Sequence, residues 1–269
     1  MNDEPFRGDA NLRPKMTNLL EVDQVAVSFG GIVALDHVSF SMAPGEICGL
    51  IGPNGAGKTT LFNCLSRLYP VDSGDIRFEG RSLIGLPKHR MAPMGIGRTF
   101  QNLALFRSMS VTRNILVGGH CRTRSSFVDN VFRFPGVARE ERALRERVRK
   151  IVTFLDLDAL ADTVVSALPF GLQKRVELGR ALAAEPKLLL LDEPAAGLNH
   201  EELTGLGWVI REIRDRFGIT ILVVEHHMAL VMSLSDKVVA LDFGRKIAEG
   251  PPQLVQRDPE VIRAYLGAA

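Results

Sequence analysis

The chain has 269 residues, 46% of them hydrophobic, enough to bury a full core as one large domain or two coupled lobes. No apolar run approaches the roughly 18 residues that span a bilayer, and residues 1–15 are polar without a signal-like apolar centre, so the chain is expected to stay in the cytosol. With 33 basic against 31 acidic residues the net charge is +2, too weak a global field to argue for a nucleic-acid partner.

From Leu19 to Phe29 the residues alternate loosely, and a second β-like stretch runs from Val33 to Met42 before Pro44-Gly45 breaks it; the two read as antiparallel strands of a meander. Phe29 stands at the Gly30-Gly31 turn, where an aromatic is either a core anchor or a platform for a base, since every purine offers a π-face. Ile47 to Ile51 is an apolar run that leads into Gly52-Pro53-Asn54-Gly55-Ala56-Gly57-Lys58-Thr59-Thr60, and a helix-like segment follows from Leu61 to Leu68. The stretch fits G-x-x-x-x-G-K-[ST], with Gly52, Gly57, Lys58 and Thr59 in register. A backbone that wraps phosphates needs glycines at crowded or positive-φ positions so that its N–H groups point inward, and Gly55 and Gly57 suit that role. Lys58 would bring a point charge to the β- and γ-phosphates, Thr59 a hydroxyl to Mg²⁺, and the helix its positive N-terminal end. Asp75 to Glu79 is a further short strand.

Between Met94 and Phe106, Gln101 follows an expected strand end. Ser110 to Gly118 reads as a helix start, and the aperiodic residues 119–136, with Arg122, Arg124 and Arg133, read as a surface loop. From Arg139 onward Leu144, Val148, Ile151, Val152 and Leu155 recur at helical spacing, with Glu141/Arg145 and Glu146/Lys150 as i,i+4 pairs. Those charges mark a solvated face or, in a sharper reading, a lipid-headgroup contact. Pro169 to Ala184 is again helical. Leu188 to Leu191 then reads as a buried parallel strand that delivers Asp192 and Glu193 to the edge where such sheets bind ligands. Thr220 to Val224 repeats the pattern and closes in Glu225-His226, so His226 should reach the same edge. Asp192 is a candidate for Mg²⁺ beside Thr59, Glu193 for the base that polarises an attacking water, and His226 for a γ-phosphate contact or a purely structural role. Lys237–Leu241 and Arg245–Glu249 form a hairpin, and Asp258-Pro259 opens a terminal helix. Cys48, Cys64 and Cys121 follow no C-x-x-C pattern and read as reduced structural thiols.

Taken in order, Phe29, Gly52 to Thr60, Gln101, Leu168-Pro169-Phe170-Gly171-Leu172-Gln173, Asp192-Glu193, Ala196-Gly197-Leu198-Asn199 and Glu225-His226 resemble the ATPase subunit of ABC transporters across nearly the whole chain. The resemblance implies an α/β fold: a RecA-like mixed-sheet core and an antiparallel β lobe (about 19–100 and 187–269), an inserted helical lobe (about 101–186) and a polar tail at 1–18. It also implies that ATP and Mg²⁺ are bound, that Phe29 stacks on the base, that Gln101 joins Mg²⁺ to the transmembrane contact, and that His226 is the switch histidine. Leu168 to Gln173 would be the signature that meets ATP held by an opposite protomer, and Ala196 to Asn199 the D-loop. Pro169 and Phe170 replace the family's common Ser-Gly, which leaves Gly171 and the helix N-terminus to carry that contact.

The signature, the Asp192–Asn199 stretch, the loop at 119–136 and the ending Val261–Gly267 are most similar to the LivG-type subunit of branched-chain amino acid importers. Two permease subunits, a second ATPase subunit and an external solute-binding protein are the partners this implies, at the cytoplasmic face of the membrane. Relatives of the same appearance serve urea or amide importers. A soluble ABC-type ATPase is the rival class, against which stands a single cassette with no sustained heptads.

Overall fold

The computed structural model describes residues 18–99, 103–122 and 135–266. Strands β1 (Leu20–Phe29), β2 (Ile32–Met42), β4 (Ser73–Phe78) and β5 (Arg81–Ser82) form an antiparallel sheet in the order β2-β1-β4-β5. The loose alternation of β1 has a local cause: its pairing with β2 shifts register between Val22 and Val25 and again before Val27, and Gln24 adopts a φ of 49°. An extra residue in the strand brings Val22, Val25 and Val27 to one buried side in spite of their uneven spacing.

The second sheet has the order β10-β9-β3-β8-β7-β6, with β3 (Ile47–Ile51), β6 (Ile96–Arg98), β7 (Leu188–Asp192), β8 (Thr220–Val224) and β9 (Lys237–Asp242) parallel and β10 (Arg245–Gly250) antiparallel at the edge. Both faces are covered, which is why β7 and β8 are apolar without a polar alternate. Leu188 and Leu190 join the core shared with the antiparallel sheet, while Leu189 and Leu191 point the other way into the helices. Each buried leucine contributes on the order of 1.5–3 kcal/mol.

Helix α1 (Lys58–Leu65) begins three residues earlier than the apolar pattern suggests, because Gly57 at φ 98° turns the chain directly into it. Ser66 closes it by donating to Phe62 O at 2.6 Å. After the short α2 (Met91–Met94), helices α3 (Val111–Gly119), α4 (Pro135–Phe154) and α5 (Phe170–Ala183) pack on one another through Ile115, Leu144, Val148, Val152, Val176 and Leu178. On the outer side of α4, Glu141 pairs with Arg145 at 2.6 Å as its spacing suggests, but Glu146 pairs with Arg149 at 3.2 Å and not with Lys150. Helices α6 (His200–Phe217), α7 (Met228–Leu234), α8 (Pro252–Val255) and α9 (Pro259–Leu266) complete the chain. Among the described residues no helix is long and apolar enough to cross a membrane.

Candidate nucleotide site

The phosphate loop leaves β3 at Gly52, whose φ of 151° suits glycine alone, and a Cβ there would lie 2.3 Å from Leu241 O. At Gly57 a Cβ would lie 2.5 Å from Ala34 O, so any side chain would push the loop off the β2 strand behind it. Lys58 folds back over the loop, its Nζ donating to Gly52 O at 2.7 Å and Pro53 O at 2.8 Å. Burial holds its ammonium below the ordinary lysine pKa, opposed by the negative charge of Glu193. A cavity of about 270 Å³ is lined by Asn54 to Thr60, by Ile32, Val33 and Ala34, and on its far side by Glu193 and His226.

Parallel pairing assembles that far side. Asp192 is in register with Val224, so the residues after β7 and β8 emerge together. Glu193 N donates to Val224 O at 2.9 Å, and His226 Nε2 lies 2.7 Å from Glu193 Oε1. Glu193 has a φ of 46°, a left-handed conformation that costs a non-glycine residue about 1–3 kcal/mol. It aims the carboxylate away from its neighbour, which goes elsewhere: Asp192 Oδ2 accepts from Arg98 Nη2 at 3.0 Å. Burial pushes the Asp192 carboxyl above the usual carboxylate range, and Arg98 draws it partly back.

Two of the supporting residues, Arg98 and Lys174, escape a reading of motifs, and Glu225 is named there beside His226 without a role of its own. Arg98 donates to Asn63 Oδ1 at 2.9 Å and Ser66 Oγ at 2.5 Å as well as to Asp192, tying α1 to β7. The buried Glu225 accepts from Ala195 N at 2.5 Å and from His226 N at 3.1 Å, which clamps the two strand exits together. Lys174, also buried, reaches Glu193 O at 3.5 Å and sits 5.6 Å from the Phe170 ring centroid. The available signals were a lone arginine in an apolar β6, a glutamate ending an apolar strand and a lysine at a buried helix position.

Phe29, Leu168–Gln173 and Ala196–Asn199 do not line that cavity. Phe29 is 45% exposed and meets Tyr69 edge-to-face at 5.4 Å. Gln101 lies outside the described residues, as does most of 119–136. Pro169 precedes α5 with φ −54° and ψ 152°, its carbonyl accepting from Leu172 N and Gln173 N, both at 3.1 Å, and Gln173 Nε2 returns to Leu168 O at 2.8 Å. Phe170 packs on Gly197, and Gly171 faces Glu202. Asn199 caps α6, accepting from Glu202 N while Glu202 accepts from Asn199 N, each at 2.9 Å. Leu168–Gln173 and Ala196–Asn199 are therefore packed together within one chain.

A glycine-rich loop between a parallel strand and a helix, facing a carboxylate–histidine pair at the ends of neighbouring strands, defines a P-loop NTPase of the α/β class. More narrowly, the chain belongs to the ABC transporter ATPase family. The model of that family, described as ABC transporter, matches residues 35–196, and a second, described as Branched-chain amino acid ATP-binding cassette transporter, matches residues 245–269. The chain is 39% identical to the high-affinity branched-chain amino acid transport ATP-binding protein BraF of Pseudomonas aeruginosa, over 93% of this chain and 98% of that one. It is 40% identical to the corresponding LivG protein of Escherichia coli K12, with the same coverage. A solved ATP-binding cassette of an ABC transporter in its ADP conformation superposes with a TM-score of 0.81 at 32% identity, covering 94% of this chain and all of that one (100%).

Proposed function

We propose that this chain is the ATP-hydrolysing subunit of a membrane importer for branched-chain amino acids, working as one of two ATPase subunits at the cytoplasmic face of the membrane. Similarity along nearly the full length to BraF and LivG supports the solute class. The observation that carries the hydrolytic reading is the 2.7 Å contact of Glu193 with His226 in the wall of the cavity that Asn54 to Thr60 also line.

In this reading the N–H groups of the loop beyond Pro53, as far as Thr60, hold the α- and β-phosphates, and Lys58 turns its ammonium to the β- and γ-phosphates. Phe29 stacks on the base. Water attacks the γ-phosphorus, the bond to the β-bridging oxygen breaks, and Glu193 takes the water's proton while His226 keeps its carboxylate aimed at the cavity. The donor set of Thr59 Oγ1, the Asp192 carboxylate and the Gln101 amide fits Mg²⁺, an ion that uses one or two protein carboxylates beside substrate phosphates. When bound, Mg²⁺ would neutralise charge on the phosphate oxygens.

Leu168 to Gln173, with Ala196 to Asn199 beneath them, would meet the nucleotide of the second ATPase subunit. The division into a core and β lobe (19–100 and 187–269) with a helical lobe (101–186) belongs to the same proposal, as do two permease subunits and an external binding protein. Reconstitution in vesicles with those partners tests it: ATP-dependent uptake of leucine, isoleucine and valine is expected. Uptake of urea or a short-chain amide in their place would overturn the solute class.

A further inference from the structure

The phosphate loop is braced from outside the nucleotide cavity. Gly244 N, in the β9–β10 turn, donates to Ala56 O at 3.1 Å, and Gly52 N donates to the Tyr265 hydroxyl at 2.7 Å across 213 residues of sequence. Tyr265 lies in the last turn of α9, which is seated through Val261 on the cluster formed by Val238, Ala240 and Val255. The two polar groups that flank Gly52 Cα are thus both engaged by side chains, the N–H by Tyr265 and the C=O by Lys58.

We propose that Tyr265 is a positioning residue for nucleotide binding: its hydroxyl fixes the Gly52 amide and so holds the loop in its phosphate-receiving shape. The inference rests on the reading of Gly52 to Thr60 as a phosphate cradle. When nucleotide enters, its phosphates compete for the three N–H donors of Lys58, which loosens the inner restraint on this glycine. The outer restraint then keeps the loop from relaxing. Tyr265 is 39% exposed as a residue, yet burial raises its phenol above the ordinary value, as expected of a ring whose outer edge meets solvent and whose hydroxyl points inward. Without the hydroxyl only a fraction of molecules would hold the competent loop, and apparent affinity falls by that fraction.

The test uses the full chain in three forms: parent, Tyr265→Phe and Tyr265→Ala. ATP affinity is measured by equilibrium titration, and exchange of the Gly52 amide by hydrogen exchange. Tyr265→Phe keeps the ring and should lower the nucleotide-free melting temperature by no more than a few degrees, while ATP binds roughly 3- to 10-fold more weakly, the range for losing one neutral hydrogen bond. Gly52 exchange should accelerate. In the reconstituted transporter the KM for ATP should rise with kcat little changed. If Tyr265→Phe binds ATP as the parent does and only Tyr265→Ala is impaired, the ring acts by packing alone and the proposal fails. A parent that binds no ATP, or a Lys58→Ala variant that binds it normally, would instead remove the phosphate-cradle reading and the proposal with it.

Discussion

Asp192 and Glu193 are neighbours in sequence with opposite surroundings. Asp192 is 4% exposed and held by a guanidinium, whereas Glu193 turns through a left-handed backbone toward the cavity and His226. The ion pair with Arg98 is therefore a structural demand as well as a way of aiming a carboxylate. Arg98→Met would leave Asp192 buried without its cation, at a cost of about 3–5 kcal/mol at pH 7. With the cation gone, burial and the neighbouring Glu193 charge raise the Asp192 pKa against Lys174 alone, so its folded value lies further above the unfolded one. A raised carboxyl binds its proton more tightly in the folded state, so the defect should shrink as pH falls from 7 toward the unfolded pKa and be largest above the folded one. Urea unfolding of parent and variant at pH 7 and pH 5 checks both the size and the sign; a defect that grew on acidification would contradict the assignment. The α1–β7 link through Arg98 was not legible in the sequence, since it joins residues 94 positions apart and belongs to no motif. The phosphate loop was legible because its chemistry is carried by contiguous residues.

At the scale of elements, the sequence reading located the parallel strands well because burial on both faces leaves an unbroken apolar run. It was poorer where backbone conformation overrode pattern, as in the shifted β1–β2 register and the early start of α1 at Gly57. The segment from Leu168 to Gln173 gains a consequence from its packing. A Cβ at Gly171 would lie 2.3 Å from Glu202 Oε1, and Glu202 is half of the reciprocal cap of α6. Gly171→Asp therefore sets one carboxylate against another and frees an end of the cap. We expect it to lose about 1 kcal/mol in urea unfolding and to leave ATP affinity of the lone subunit within about twofold, since Gly171 is absent from the phosphate cavity. On the proposed trans contact, hydrolysis in the assembled transporter should be abolished by the added negative charge. Glu202→Ala, which loses the cap without adding charge, should retain hydrolysis; if it does not, the effect of Gly171→Asp comes through α6 and not through a trans contact.

For the whole molecule, the phosphate loop and the Leu168–Gln173 segment stand apart within the described residues. The cavity at the phosphate loop has Glu193 and His226 on one side, while the Leu168–Gln173 segment packs against Ala196–Asn199 away from it. Such a separation is what the proposed pairing of two ATPase subunits requires, since each cavity would be completed by the other subunit's Leu168–Gln173 segment. It also explains why function was readable further than mechanism: the order of motifs names the family, but contacts made between chains have no signature in the spacing of one chain. The most direct measurement of hydrolysis by this molecule is the ATPase rate of the reconstituted transporter carrying Glu193→Gln, with bound nucleotide identified. The expected result is ATP retained in a closed ATPase dimer and a rate at least about 10²-fold below the parent; hydrolysis at the parental rate would show that Glu193 is not the base.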